Sequence, residues 1–478
     1  MNSRNCHILC IEDEEDVRIT LHSELMKISN RVEVTFATSR DEAVSILEQG
    51  AFFDYITLDL TIPAISGSFD KSPQNGLAVL SIAKELCPGT PVLILTGTST
   101  LRMIGQFLET SNNVDIWSEG RSRPTVSHLT KADLVDFAKE IEPRISAVLE
   151  LNEVELSFSF DSLPLPHDRL IRILAKRVGA IKVDIAVIGG GYSEAKVYSL
   201  VLSDIRGIEL IRCVAKCGKR SEIDIDSLNF DTHVVRLEPE ATPRKVTHLR
   251  YGASDSCAVF YSLASNYPLS FFSACSDKLV TESIRKSLCS ILSNWHKRSV
   301  QERKTIRDIR RTLLSDDNFH RITKQYSICD ANEFEDRSLQ CKISCIHGDL
   351  HGENVLVSQE KDGSTLIDYG DVMQGCSILD PLTLECSFLF HEKSPYKNWP
   401  TLEAIKHWNS LEDYLIDCPY SDEIRFCREW IQEIGVNNNR ELAACLYSYA
   451  LRQLKYDDTD KEKALALIHK SFELFDKS

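Results

Sequence analysis

The sequence predicts two folds in tandem: an α/β domain built on a doubly wound, five-stranded parallel sheet, then a larger α+β part. Three observations lead there. Short apolar strands alternate with helical stretches over residues 1–145, each strand ending in a chemically distinctive side chain. A glycine-rich turn and a lone lysine interrupt a run of apolar strands over 181–265. A tight polar loop, His347-Gly348-Asp349-Leu350-His351-Gly352-Glu353-Asn354, runs straight into the apolar Val355-Leu356-Val357.

The first observation fixes the α/β reading. His7–Ile11, Val32–Ala37, Phe53–Asp59, Pro91–Gly97 and Ser127–Lys131 read as short strands, and the stretches after the first two carry helical periodicity. Such alternation yields a parallel sheet whose ligands gather at the carboxyl ends of its strands. Glu12, Asp13, Asp59, Thr96 and Lys131 all fall at such ends. The three carboxylates form an acidic cluster suited to Mg²⁺, Lys131 pairs with the negative charge, and Thr96 can hydrogen-bond a phosphoryl oxygen.

This pattern resembles the receiver domain of bacterial response regulators. The resemblance implies that Asp59 is the phosphoacceptor, that a histidine kinase is the phosphodonor, and that Thr96 and Lys131 sense the acyl phosphate. A receiver-mediated homodimer is among the assemblies it implies. The sequence departs from the family in four places. Ser66–Gly76 lengthens the segment between Asp59 and Thr96, a polar insert surrounds Trp117–Pro124, Ala132 stands where proline is usual, and His128 where an aromatic switch residue is usual.

The third observation sets the chemistry of the second part. Asp349 and Asn354 are five positions apart, and Asp368 follows in Ile367-Asp368-Tyr369-Gly370. A hairpin brings the second carboxylate back to the loop. Two carboxylates and an amide oxygen suit Mg²⁺ carrying substrate phosphates, the equipment of phosphoryl transfer. The stretch resembles the catalytic and metal loops of the protein-kinase-like fold, closest to the aminoglycoside/choline phosphotransferase branch. By that resemblance the fold is bilobal, Asp349 is the catalytic base, Asn354 and Asp368 hold Mg²⁺, His347 supports the loop, and Asp380 braces it through its backbone N–H groups.

The second observation supplies the nucleotide side. Gly189-Gly190-Gly191-Tyr192-Ser193 lies between two antiparallel strands, where backbone N–H groups approach phosphate oxygens. Lys216 sits in Ile211-Arg212-Cys213-Val214-Ala215-Lys216, an otherwise small and apolar strand, and a buried amine there needs an anionic partner. Gly189, Gly190, Gly191, Ser193 and Lys216 are thus the candidate ATP contacts. The carboxylate that pairs with Lys216 is one of Glu222, Asp224 and Asp226. Gly189–Ser193 with Ala215-Lys216 also resembles the ternary-complex-associated kinase-like domains of bacterial conflict systems.

The expected organisation is a receiver domain over 1–145, a linker and helix over 146–180, an N-lobe over 181–265 and a C-lobe over 266–478. A net charge of −16 disfavours nucleic acid and anionic membrane as partners. No apolar stretch approaches the roughly twenty residues of a membrane span. The sixteen cysteines include three C-x3-C pairs in apparent strands, Cys6/Cys10, Cys213/Cys217 and Cys341/Cys345. Residues four apart in a strand sit roughly 13 Å from each other, too far to share a zinc, so they read as reduced core thiols of a cytoplasmic protein. The expectation is a two-component signalling protein whose receiver controls a Mg²⁺- and ATP-dependent phosphotransferase acting on a hydroxyl of an unidentified acceptor. The alternative is a kinase-like scaffold that binds nucleotide without turning it over.

Overall fold

The structure is a computed structural model that describes residues 5–97, 102–188, 195–238, 242–262, 267–360, 362–396, 398–435 and 439–477. The chain divides into two compact units. The first comprises 1–224 with 245–262, and the second 225–244 with 263–478.

The first unit opens with a parallel sheet. Its strands β1 (Cys6–Ile11), β2 (Val32–Ala37), β3 (Tyr55–Asp59), β4 (Val92–Thr96) and β7 (Val126–Thr130) pair in the order β2-β1-β3-β4-β7. Every pairing is parallel. β1, β3 and β4 are buried along their whole length, as a sheet covered on both faces requires. The helices are α1 (Glu15–Ile28), α2 (Arg40–Glu48), α3 (Pro73–Leu86), the short α4 (Gly105–Glu109) and α5 (Phe137–Glu150). Ser39 caps α2 by accepting from Glu42 N, and Ser72 caps α3 by accepting from Gln74 N, with Pro73 at the first helical position. The closing helix is expected from Ala132. Residues Lys131–Asp136 instead form a 3₁₀ turn, and α5 continues to Glu150.

The insert expected to be polar around Trp117 is a two-stranded ribbon, β5 (Asn113–Val114) with β6 (Arg123–Pro124). Trp117 is buried, and a Cβ on Gly252 would meet both its indole nitrogen and Ile173.

Where the sequence reads a linker, Glu155–Phe158 forms β8, and the helix expected after it is α6, Leu165–Val178. β8 is the edge of a six-stranded sheet with β9 (Lys182–Val187), β10 (Lys196–Ser203), β11 (Glu209–Lys219), β12 (Arg244–Leu249) and β13 (Ser256–Ser262), in the order β12-β13-β11-β10-β9-β8. The apolar core runs without a break from Ile8, Leu93 and Ile145 through Leu170 and Ile173 of α6 to Leu200 and Phe260 of this sheet. Residues His167–Ala175 of α6 are all buried, charges included. Arg169 is fully buried and forks onto Asp54, with Nε 2.8 Å from Oδ1 and Nη2 3.1 Å from Oδ2. His7 N also donates to Asp54, so the buried carboxylate is fully engaged.

The boundary between the units passes through α7 (Arg220–Thr232). The second unit contains two three-stranded sheets. One joins β14 (Leu269–Ser270), β17 (Val355–Val357) and β18 (Ser364–Leu366). The other joins β15 (Val300–Thr305), β16 (Ser338–Ile346) and β19 (Met373–Cys376). The sequence reads as helical from 276 to 314. Only α8 (Phe271–Ser276), α9 (Glu282–His296) and α10 (Ile306–Arg311) are, because Val300–Thr305 pairs with β16 as an exposed, charged edge strand. The remaining helices are α11 (Asp316–Gln325), α12 (Ala331–Glu335), α13 (Leu379–Phe390), α14 (Leu402–Lys406), α15 (Leu411–Tyr414), α16 (Ser421–Glu433), α17 (Asn439–Gln453) and α18 (Lys461–Asp476). The three cysteine pairs lie in β1, β11 and β16, and all six are buried and free. No helix among the described residues is long and apolar enough to cross a membrane.

Candidate functional site

The carboxyl ends of β1, β3 and β7 bring Glu12, Asp13, Asp59 and Lys131 to one point. Lys131 Nζ lies 2.9 Å from Asp59 Oδ2 and 3.0 Å from Glu12 Oε2. Asp59 Oδ1 accepts from Thr61 N, and Glu12 Oε1 accepts from Glu14 N. One ligand atom from each of Glu12, Asp13 and Asp59 lies within 4.8 Å of the others. Asp13 Oδ1 is buried without a hydrogen bond, while Glu12 Oε2 and Asp59 Oδ2 meet the Lys131 ammonium. Three converging carboxylates with hard oxygens are the donor set that a magnesium ion takes. Burial and the Asp59 charge push the Glu12 carboxyl up to about 7, against the pull of Lys131. Lys131 is held protonated because Asp59 and Glu12 outweigh its burial. Thr96 ends β4 fully buried, in register with Thr130.

A second group of metal-ligating types is Asp224, His248 and Cys257, with His248 Nε2 3.2 Å from Asp224 Oδ1. Arg250 holds the other Asp224 oxygen at 2.6 Å, and Arg220 and Lys245 also press their charge on His248. That crowd of cations makes the group an ion-pair hub rather than a cation site.

The polar loop follows β16 in the second unit. Asp380, fully buried at the start of α13, accepts from His347 N at 2.8 Å and Gly348 N at 3.0 Å. His347 Nε2 lies 3.1 Å from Ile367 O. Gly348 has φ +80°, and a Cβ there would sit 2.3 Å from Asp371 O, so the turn excludes any side chain. Asn354 Nδ2 donates to Asp349 O, and Ile367 N donates to Asn354 O. Asp368 itself adopts φ +66°. The Asp349 and Asp368 charges both act on His351 and on Asp371, so the two carboxylates share one locality.

Arg452, His391 and Asn229 of this locality lie outside the sequence reading. Arg452, from the last turn of α17, places Nη2 3.1 Å from Asp349 Oδ1 and 3.7 Å from Asp371 Oδ2, and donates from Nη1 to Gly348 O. Burial pushes the Asp349 carboxyl up, but Arg452 with His351, His347 and His391 outweighs it and holds the group below its usual range. His391 packs its ring 4.5 Å from that of His351 and is pushed down to about 3 by burial and by that neighbour. Asp226, one of the three candidate carboxylates on α7, is fully buried and accepts from Tyr369 N at 3.1 Å. Asn229 Nδ2 donates to Tyr369 O and Gly370 O. Arg452, His391 and Asn229 sit in no motif, so nothing local in the sequence marks them.

Lys216 is buried in β11 between Val197 and Val259. Glu222 is half-buried in the first turn of α7. Gly189, Gly190, Gly191, Tyr192 and Ser193 lie outside the described residues.

Residues 8–114 match the response regulator receiver domain family. A search of curated proteins returns no match. Among similar solved structures is a receiver domain protein from Clostridium thermocellum, 22% identical, covering 31% of this chain and 96% of its own, with a TM-score of 0.22. Another is a CheY-like receiver domain protein from Methanospirillum hungatei JF-1, 20% identical, covering 30% and 97%, with a TM-score of 0.22. A third is the receiver domain of the sensor histidine kinase PA1611 from Pseudomonas aeruginosa PAO1, with a magnesium ion in its active-site cleft. It is 17% identical and covers 29% and 98%, with a TM-score of 0.20.

Proposed function

We propose, from the receiver domain over residues 8–114 and the loop chemistry of the second unit, that this protein couples aspartate phosphorylation to an ATP-dependent phosphotransfer onto a hydroxyl. Receiver domains take phosphate from histidine kinases and bind Mg²⁺ at an acidic site, which places the chain in two-component signalling. In the receiver the Asp59 carboxylate attacks the phosphorus of a phosphohistidine, the P–N bond breaks and the donor imidazole leaves. Glu12, Asp13 and Asp59 would hold the magnesium that neutralises the incoming phosphoryl. Lys131, already within 2.9 Å of Asp59, follows the new charge, and the Thr96 hydroxyl hydrogen-bonds a phosphoryl oxygen.

For the second unit, the reading is a protein-kinase-like phosphotransferase. One observation carries it: Asp380 clamps two consecutive N–H groups of the loop, Asn354 ties down the Asp349 carbonyl, and Asn354 O accepts from Ile367 N, which anchors the residue just before Asp368 to the same loop. Asn354 Oδ1 and the Asp368 carboxylate are hard oxygen donors of the kind Mg²⁺ takes, and they would hold the metal of a nucleotide. The nucleotide supplies the phosphoryl group. Asp349 orients the acceptor hydroxyl and, with a pKa below the usual range, works by position more than by basicity. In this reading Lys216, Gly189, Gly190, Gly191 and Ser193 bind the ATP phosphates.

The Arg452–Asp349 ion pair favours a second reading, a nucleotide-binding scaffold in which the guanidinium silences the base. Single-turnover ATP consumption by the full chain, with and without acetyl phosphate, separates the two. The phosphotransferase reading expects consumption by the wild type that falls at least a hundredfold in Asp349→Asn, and a response to acetyl phosphate that vanishes in Asp59→Asn. Equal, minimal consumption by wild type and Asp349→Asn, with Mg-ATP still bound, leaves the scaffold.

A further inference from the structure

The insert between β3 and α3 delivers a cation to the acidic pocket. Lys71 Nζ lies 2.5 Å from Asp13 Oδ2 and 3.8 Å from Glu14 Oε1. Its side chain is 41% exposed, so burial does not hold it there. The backbone on both sides does. Ser72 forms an isolated bridge with Ile62, donating its N–H to Ile62 O at 3.1 Å. Asp70 accepts from Ala64 N through Oδ1. The Asn75 amide, buried in the first turn of α3, donates to Ile62 O at 3.0 Å and to Asp70 O at 3.4 Å. Residues 70 and 72 are therefore tied down, and the residue between them extends over Asp13.

Asp13 is one of the three carboxylates that converge at the strand ends. Its Oδ1 points into that cradle without a hydrogen bond, and its Oδ2 carries the Lys71 ammonium. Lys131 compensates Glu12 and Asp59, and Glu14 Oε1 faces both lysines, 3.8 Å from Lys71 and 3.7 Å from Lys131. Four carboxylates thus meet two ammonium groups before any metal enters. A divalent cation at the cradle sits a few ångströms from the Lys71 charge. Between a single and a double charge at that range, even under near-aqueous screening, repulsion weakens binding by about tenfold.

We propose that Lys71 is a tethered counter-ion of the acidic pocket, which competes with the divalent cation for Asp13 and so sets the cation concentration at which Asp59 can be phosphorylated. Metal entry displaces the ammonium from Asp13 into solvent, where its exposed side chain is readily accommodated. The insert that lengthens this chain between Asp59 and Thr96 thereby acts on the phosphorylation site itself. The proposal rests on the reading of Glu12, Asp13 and Asp59 as the receiver's metal pocket.

Mn²⁺ binding to the full-length chain, followed by electron paramagnetic resonance of the free ion, tests it without any phosphodonor. The receiver event is the one that Asp13→Asn removes. Lys71→Ala is expected to tighten that event about tenfold, Lys71→Arg to leave it near wild type, and the difference to shrink as salt rises from about 0.05 to about 0.5 M. A dissociation constant in Lys71→Ala within twofold of wild type overturns the proposal, as does a Lys71→Arg variant that binds like Lys71→Ala. If no Mn²⁺ event disappears in Asp13→Asn, the metal pocket itself is wrong, a distinct failure. Circular dichroism of each variant confirms that the fold is kept.

Discussion

Asp380 and Gly348 show how single residues hold the polar loop. A carboxylate accepting two backbone N–H groups fixes the direction of two peptide planes, and a glycine at φ +80° turns the chain where a Cβ would meet Asp371 O. Replacing that glycine strains both the dihedral and the contact. Gly348→Ala is therefore expected to cost about 1–3 kcal/mol of stability by urea unfolding. On the phosphotransferase reading it should also lower ATP consumption by more than that loss explains, because Asp349 follows directly. A variant as stable and as active as wild type would show that the turn has slack. The loop's spacing was legible because each of these duties needs a particular residue type at a fixed offset. Arg452 was not, since a helical arginine reads the same whether it meets solvent or a carboxylate brought to it by folding.

Among the elements, α17 carries a buried acid in its first turn. Glu441 accepts from Lys342 N at 3.1 Å, and burial pushes its carboxyl up to about 7. An unfolded glutamate titrates near 4.3, so between roughly pH 4.3 and 7 the folded chain holds a proton that the unfolded chain has lost. The stabilisation is complete below the unfolded value and is lost as pH rises to the folded one, by about 3–4 kcal/mol. Glu441→Gln keeps the acceptor and removes the titration. Thermal melts should coincide near pH 4 and favour the variant near pH 8, and a wild-type stability that does not fall across this interval would refute the assignment. Elements also mark where sequence periodicity misleads. β15, Val-Gln-Glu-Arg-Lys-Thr, is charged and exposed, so it extends a helical pattern on paper, while its pairing with β16 makes it a strand. β8 is only four residues long, and its membership of the six-stranded sheet depends wholly on β9.

On the largest scale, the receiver and the six-stranded sheet share one apolar core within the first unit, and the Arg169–Asp54 pair is buried inside it. Removing one partner leaves an uncompensated buried charge, a loss of about 3–5 kcal/mol. Arg169→Met should thus lower the denaturant midpoint of the whole first unit. Hydrogen exchange should report it together in β3 of the parallel sheet and β9 of the mixed sheet. Loss of protection confined to α6 would mean that the two sheets are held together by something else.

The sequence alone determined the parallel sheet, the carboxylates and lysine at its strand ends, and the Asp349–Asn354–Asp368 spacing. Each is written in a local period or in turn chemistry, which a few consecutive residues specify. Tertiary structure alone decided that the linker gives an edge strand and that the helix after it is buried, charges included, that Trp117 is buried, that Arg169 answers Asp54 and that Arg452 answers Asp349. Those pairings join residues far apart in the chain, and a charge or an indole acquires its meaning only from what folding places against it.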